Sequence, residues 1–592
     1  MCGLVGTFGH VPPAAARQQA LAALAHRGPD GSAEWRTANA WLGHTLLAIT
    51  DTASNAKQPM LNAAGDVGLI FNGEIFNSDE VRAQCRSVGY EFTRRSDTET
   101  LLAAFLCFGR DGFSTVEGIF AFALCDLRAG VPELWLMRDP VGVKPLYIAE
   151  CGSGRMAFAS EVGCLRALVP DTLTIDPASL MVLLSSGAVP QPATIYREIK
   201  AVPPGRLLHV VRPPCGDELI QTEVQVAPAY FQSDTTNGDA LVQAVSAAAL
   251  KQCRDQDEVH LFLGGGVDSA LLGALTLAHG RSVEAHTLSF AGLDPGLDEA
   301  PTAIDLSASM AWRHHVHAVT PTELPQLFSA FATRIDQPTI DGFNGFLIAK
   351  ALSKRTRVAF SGTGPDEMFF GYSWVADLLV LHRGERPSRE ALAHAWIDRT
   401  TIIPDGIASA LCGMSAERIR EVRLTSVSVA DPGPEHALVD RLRMICLHRF
   451  TGDRLLRDLD VTGMAAGVEV RIPWLDAEVL RAGWRIGETA LTASATGLYG
   501  GVKAPFISAA EPWLPRDFLA AGRKHGFILP YDRWLRGPLH GAFSEAFRTS
   551  SGELFDREAL SERWRLFEAG APLALEIWLV GTILSWRAAS MG

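Results

Sequence analysis

The sequence contains no Cys-x-x-Cys pair, no surplus of basic charge and no apolar run of membrane-spanning length, and each absence excludes a class of protein. Ten cysteines at uneven spacing offer neither a zinc ribbon nor a disulfide framework and fit unpaired thiols in a reducing compartment. A formal net charge of -13 argues against a nucleic-acid partner, whose mark is a basic face. The nearest approach to a membrane span, Ile577–Trp586, falls short of the roughly 18 apolar residues required and reads as a core helix. No basic segment followed by an apolar one opens the chain, so neither a secretory signal nor a membrane anchor is expected, and the expected location is cytoplasmic. Internal repeats and low-complexity tracts are missing as well.

What is present is a long, ordinary globular composition. At 592 residues the chain exceeds one hydrophobic core, and 47% hydrophobic with 20% charged residues is the texture of a soluble multidomain protein. From Cys2 to about Val211, short apolar runs such as "GIFAFALCD" and "ELWLMR" alternate with turn clusters, which predicts packed sheets with a few helices, among them Ala14–Ala25 and Asp97–Phe108. A turn-rich stretch follows, and beyond it long helical segments alternate with short strands such as "EVHLFL", "EAHTLSF" and "RVAFSG", the pattern of a parallel, doubly wound sheet. The expected organisation is therefore an α+β domain over 1–212, a linker over 213–236 and an α/β domain over 237–592.

The segment "VHLFLGGGVDSALLGAL" reads as a buried strand, three glycines (Gly264, Gly265, Gly266) and a helix opened by Asp268 and Ser269. Backbone free of Cβ atoms can bring N–H groups against an oxyanion, and the helix N-terminus adds partial positive charge, so the loop predicts a phosphate cradle. No Gly-Lys-Ser/Thr follows, which separates it from the lysine-bearing P-loop. A second strand-end loop, "RVAFSGTGPDEMFFGY", carries Asp366 and Glu367. Two acidic strand-end loops of one sheet can set carboxylates about a Mg2+ ion that holds a triphosphate, with Asp268 and Asp366 as the ligands.

In order along residues 240 to 540, these loops together with "DVTGMAAGVEVRIPWLDAEVL", "GVKAPF" and "RKHGFILPYDRWLRGPL" resemble the synthetase half of the asparagine synthetase family, whose ATP-pyrophosphatase loop reads SGGxDS. The first half is similar to that family's class II glutamine amidotransferase domain in "MCGLVG", "HRGPDG", "FNGEIFN", "SDTET", "RDPVGVKPLY" and "FASE". The resemblance implies an Ntn-hydrolase sandwich (αββα) followed by a doubly wound sheet of the adenine nucleotide alpha hydrolase-like type with added helices. It implies Cys2 as a nucleophile exposed by removal of Met1, whose free α-amine, ordinarily titrating at roughly 7.7–8.0, is a usable base at neutral pH. It further implies Asn72 and Gly73 as oxyanion donors and Asp97 as the anchor of the glutamine ammonium. By the same match the glutamine pocket comprises Leu46, Ile49, Asn72, Gly73, Glu74 and Asp97. The ATP site comprises Phe262, Leu263, Gly264, Gly265, Gly266, Asp268, Ser269, Phe290, Ser361 and Gly362, with Lys503 and Thr363 at catalytic positions.

Three positions depart from the family pattern. "GHTLLAI" puts Leu46 where the family has an arginine that clamps the glutamine carboxylate, a loss on the order of 1.5–3 kcal/mol. Arg95, beside Asp97, is a candidate to compensate from the other wall. Gly264 and Ala270 replace the outer serines of the pyrophosphatase loop, while Ser269 is kept. Thr363 stands where asparagine-forming members carry a glutamate, which points away from aspartate and towards a specialised acid.

The resemblance implies an ATP- and Mg2+-dependent amide synthetase that takes glutamine and a small carboxylic acid as substrates. By analogy it also carries over the family's habit of forming homodimers. Two alternatives stand beside it: a synthetase using another or an intramolecular amine, as in the beta-lactam-forming relatives, with an impaired glutaminase half; and an inactive nucleotide-binding partner protein.

Overall fold

A computed structural model describes residues 2–49, 57–152, 154–169, 173–212, 219–226, 238–254, 256–382, 384–492, 498, 503–522 and 528–591. The chain divides into two compact units. One comprises Met1–Asp176, Gln191–Ala229 and Gly463–Glu469; the other comprises Pro177–Pro190, Tyr230–Thr462 and Val470–Gly592. The division is less simple than a cut at a linker. Helix Pro177–Ser186, whose run Leu180–Leu184 is buried, belongs with the second unit. Within the stretch read as linker, Ile220–Gln225 form a strand paired with Arg206–Val211. The flanking residues 213–218 and 227–236 lie outside the described residues, as do 523–527 of the "RKHGF" motif and 501–502 before Lys503.

The first unit holds two six-stranded sheets. In chain order the strands are β1 (Cys2–Phe8), β2 (Gly31–Arg36), β3 (Ala40–Leu46), β4 (Met60–Leu61), β5 (Val67–Ile75), β6 (Gly118–Asp126), β7 (Glu133–Arg138), β8 (Tyr147–Glu150), β9 (Met156–Ala159), β10 (Ile199–Ala201), β11 (Arg206–Val211) and β12 (Ile220–Gln225). One sheet runs β10-β8-β9-β1-β3-β2 and the other β12-β11-β7-β6-β5-β4. Leu4, Phe8, Leu42 and Phe158 from the first interleave with Ile70, Ala121, Ala123 and Leu136 from the second in one buried cluster. The opposite face of the second sheet packs Phe71, Phe120 and Phe122 against Leu101 and Phe105 of helix Asp97–Phe108, while helix Ala14–Ala23 lies against β3. Helix, sheet, sheet and helix thus stack in four layers, the αββα order that the family resemblance implies.

The motif "RDPVGVKPLY" turns out to be built for folding. Asp139, fully buried, accepts backbone N–H groups from Phe120, Val141, Gly142, Val143 and Lys144 at 2.7–3.2 Å. Arg138 donates to the carbonyls of Gly142, Lys144 and Val202 at 2.7–2.9 Å. The pair neutralises a buried loop that would otherwise hold unsatisfied backbone.

The second unit is built on a five-stranded sheet with β13 (Glu258–Phe262), β14 (Ser282–Ser289), β15 (Arg313–Ala318), β16 (Val358–Phe360) and β17 (Glu469–Arg471) in the order β15-β14-β13-β16-β17. β13 pairs in parallel with β14 and β16, and β14 with β15. Crossover helices such as Val267–Ala278 and Ala300–Ser309 pack on β14, and the remaining chain adds further helices, as the helical texture of the second half predicts. Among the described residues the cysteines are free thiols, and no helix is long and apolar enough to cross a membrane. Ile577–Trp586 lies inside helix Ala574–Met591.

Replacing Asp139 by Ala leaves five buried N–H groups without their acceptor. The expected outcome is a loss of about 3 kcal/mol or more, seen as an earlier first transition in urea unfolding; an unshifted transition would contradict this account.

Candidate active sites

Cys2 heads β1 and is nearly fully buried, directly opposite Leu46 of β3. Residues opposed across an antiparallel pair share a face, so the Leu46 side chain stands beside the thiol. Burial pushes the Cys2 thiol above its ordinary value, partly offset by a backbone contact with Leu47. The end of β3 is held by the "HRGPDG" loop: Asp30 donates its N–H to the Leu46 carbonyl at 2.9 Å and accepts the Ala48 N–H at 2.8 Å. Gly28 is needed there, since a Cβ would fall 2.3 Å from the Leu46 nitrogen. Ile49 packs, partly buried, against Leu47 and Met464.

β5 supplies the groups that face the thiol. The Asn72 Oδ1 accepts the Cys2 N–H at 2.9 Å, and its Nδ2 is buried with no hydrogen-bond partner. Phe71 and Ile75 direct their N–H groups to one edge of β5, donating to Gln58 Oε1 at 2.6 Å and Asp97 Oδ2 at 2.9 Å. Phe120, opposite Gly73, turns the other way, donating its N–H to Asp139 Oδ2 and accepting the Asp139 N–H at its carbonyl. The period of two along a strand therefore aims the Gly73 N–H at the same edge as those of Phe71 and Ile75. Gly73 has φ of 143°, and a Cβ there would stand 2.0 Å from the Ile119 carbonyl oxygen. Glu74 is buried beside it. Asp97 opens helix Asp97–Phe108 behind the N-cap Ser96, and Arg95 is exposed.

Sequence reasoning assigned no role to Arg27 and Glu161, yet they back the nucleophile. Arg27 is fully buried and donates through Nε to the Cys2 carbonyl at 3.3 Å and through Nη1 to Glu161 Oε1 at 2.9 Å; His26 Nε2 lies 3.0 Å from the same oxygen. Burial alone would raise the Glu161 carboxyl, but His26 and Arg27 hold it down at about 2. The motifs "HRGPDG" and "FASE" carry these residues, but nothing local shows that they meet 134 residues apart.

In the second unit the glycine loop leaves β13 through Phe262 and Leu263, whose N–H donates to the His286 carbonyl at 2.9 Å. Gly266 caps helix Val267–Ala278 with no side-chain cap bond. The Gly265 N–H is already engaged: it donates to Glu299 Oε2 at 2.9 Å. A cavity of about 540 Å3 opens beside Gly265, Gly266, Glu299, Thr302 and Phe518. The second loop lies hard against the first, because a Cβ on Gly362 would be 2.7 Å from the Ser269 nitrogen. Ser361 and Thr363 share a hydroxyl hydrogen bond of 2.9 Å, and Phe290 stacks edge-on against Trp534.

Lys503 joins the two acidic loops. Its Nζ stands 2.8 Å from each carboxylate oxygen of Asp268 and 2.5 Å from Asp366 Oδ1, with the side chain fully buried. Burial would lower the lysine, but the two aspartates raise it above its ordinary value. Lys503 takes a left-handed φ of 53°, a strained choice for a non-glycine residue that places its side chain inward. Gly371 makes room, since a Cβ there would meet Asp366 Oδ1 at 1.9 Å. Glu367 is pushed up to about 7 by burial and by Asp366, and accepts the Tyr372 hydroxyl at 3.0 Å. Two hard carboxylates converging on one point are a donor set that suits Mg2+.

Residues 1–215 match a family described as a glutamine amidotransferase domain, and residues 239–588 match one described as asparagine synthase. The chain is 27% identical to asparagine synthetase (glutamine-hydrolyzing) 1 of Bacillus subtilis strain 168, over 91% of this chain and 89% of that one. It is also 27% identical to a putative asparagine synthetase (glutamine-hydrolyzing) of Mycobacterium tuberculosis H37Rv, over 99% and 97%. A protein named amidase chry2 of Gibberella zeae is 24% identical over 60% of this chain and 55% of its own.

The depressed Glu161 carboxyl makes a pH prediction. A carboxylate whose folded pKa lies below its unfolded value of 4.5 contributes stability above pH 4.5 that is lost as the pH falls towards 2. Glu161→Gln is expected to cost about 3 kcal/mol at neutral pH, and the gap from wild type should close between pH 4.5 and 2 in unfolding measured at each pH. A gap independent of pH would remove the ionic account of this cluster.

Proposed function

The chain belongs to the asparagine synthase family, and on that premise we propose that it is an ATP-dependent amide synthetase supplied with ammonia from glutamine. The observation that carries the proposal is the convergence of Asp268 and Asp366 on the buried Lys503 at the ends of two neighbouring strands. A partner protein that only bound nucleotide would have no use for a fully buried lysine held between two partly buried carboxylates at this cost.

In the first unit, removal of Met1 turns the nitrogen of Cys2 into a free amine able to take the thiol proton. The sulfur attacks the glutamine side-chain amide carbon, and the oxyanion formed meets Asn72 Nδ2 and the Gly73 N–H. The C–N bond breaks as the leaving nitrogen is protonated, ammonia departs, and water hydrolyses the thioester. Asp97 pairs with the substrate ammonium. In the second unit, the carboxylate of an acid attacks the α-phosphorus of ATP. Pyrophosphate leaves against the Gly264–Ser269 loop, where Lys503 balances its charge. Ammonia then attacks the acyl carbon and AMP departs. Asp268 and Asp366 would hold Mg2+, which when bound neutralises triphosphate charge. Thr363, a hydroxyl in place of a carboxylate, favours a specialised acid over aspartate.

A second reading draws on Leu46, an aliphatic side chain where the glutamine carboxylate would be received. It favours a weak glutaminase and another amine as donor. Mass spectrometry after incubation with MgATP, a pool of acids and amide-15N glutamine separates the two. Label in an amide product supports glutamine as donor, and Cys2→Ala should then abolish it while added ammonia restores product. An amide without label under glutamine alone transfers support to the second reading, and no AMP with any acid overturns both. Leu46→Arg is expected to lower the glutamine KM by about ten-fold or more, with the ammonia-driven rate unchanged; an unaltered KM would show that the carboxylate is held elsewhere.

A further inference from the structure

Away from both sites, one face of the β13-β14-β15 sheet gathers imidazoles in a way neither proposed reaction uses. Parallel register aligns His260 with Glu284, and His286 with His315. Alternation puts Glu258 and His260 of β13, Glu284 and His286 of β14, and Arg313, His315 and His317 of β15 on the same side. His314 points the other way, to Thr287 Oγ1 at 2.8 Å. On the shared face His260 Nδ1 lies 2.9 Å from His286 Nε2, His286 Nδ1 lies 3.1 Å from His317 Nε2, and His315 Nε2 lies 2.5 Å from Glu284 Oε2. The rings of His286 and His315 stack with centroids 4.9 Å apart.

We propose that Glu284, His286 and His315 form a binding site for a divalent transition-metal ion of the zinc class, in which one His286 ring nitrogen exchanges its histidine hydrogen bond for the ion and the other keeps its partner, His260 or His317, to orient the ring. One ligand atom from each of the three residues lies within 4.8 Å of the others. Tetrahedral zinc with Zn–N of about 2.0–2.1 Å needs donors about 3.3 Å apart, a contraction within reach of small side-chain rotations. Imidazole with one carboxylate selects zinc, cobalt, nickel or copper over Mg2+, which takes oxygen donors, so this site and the nucleotide site call for different ions. Glu284 and His286 are buried and His315 is partly exposed, which leaves an entry path and room for a water as fourth ligand. Arg313, now against Glu284, is largely exposed and also bonds Glu258 Oε2 at 2.6 Å, so it has a second carboxylate to hold when an ion takes Glu284. A bound ion ties β14 to the edge strand β15.

The test uses the full chain, stripped of metal by a chelator and titrated with Co2+ as the spectroscopic substitute for zinc. One Co2+ per chain with visible ligand-field absorption is expected, displaced by Zn2+, with the same behaviour in His314→Ala. Binding weaker by about ten-fold or more is expected in His286→Ala and in His315→Ala, the partly exposed position whose loss the fold tolerates best. No Co2+ uptake, or equal uptake by wild type and His315→Ala, overturns the proposal. Because the readout is binding, its failure leaves the amide-synthetase reading untouched.

Discussion

Every buried backbone N–H must find an acceptor, and in this protein the acceptors at the decisive points are carboxylates. Asp139 collects five N–H groups where β6 begins and β7 ends, and thereby turns Phe120 away from β5. Asp97 takes the Ile75 N–H on the opposite edge. Between these two fixed points the Gly73 N–H has only one direction left. In the second unit Glu299 takes the Gly265 N–H and Asp298 that of Phe290. Part of the acidic surplus of the chain is thus internal scaffolding.

The two sites store their reactivity differently. Around Cys2 the donors proposed for the oxyanion are neutral dipoles, one of them the Asn72 amide nitrogen, which is buried without a partner. Around Lys503 the charges are permanent, one ammonium shared between two carboxylates. The glycine loop likewise already holds an oxyanion, the Glu299 carboxylate, so an incoming phosphate competes with a group of the protein. A dipolar site can accept its substrate without rearrangement, whereas a charge-paired site must exchange partners first.

Much of this was legible in the sequence because glycine positions carry backbone geometry. Gly73, Gly362 and the triple-glycine loop stand where a Cβ would collide or an anion would approach, and their neighbours follow in order. The alternation of short apolar runs likewise predicted packed sheets, and the family resemblance implied the four layers. What escaped is long-range pairing. Glu161 meets Arg27 across 134 residues, and Asp139 meets Phe120 through a fold that no local period encodes. The strand Ile220–Gln225 hid because turn residues on both sides outweigh its short polar-apolar alternation. The imidazole face escaped for a third reason: His260, His286 and His315 come from three strands, and only parallel register makes them neighbours.

The contact between Gly362 and Ser269 reaches further than its size suggests. With backbone set directly on backbone and no side chain between, the interface has no soft element to absorb a displacement. The loop that bears Thr363 and the loop that bears Ser269 are therefore joined by a direct backbone contact. A single added methyl group at Gly362 would have to push the Ser269 backbone aside, so the spacing of the two loops is set by the one residue type that carries no Cβ.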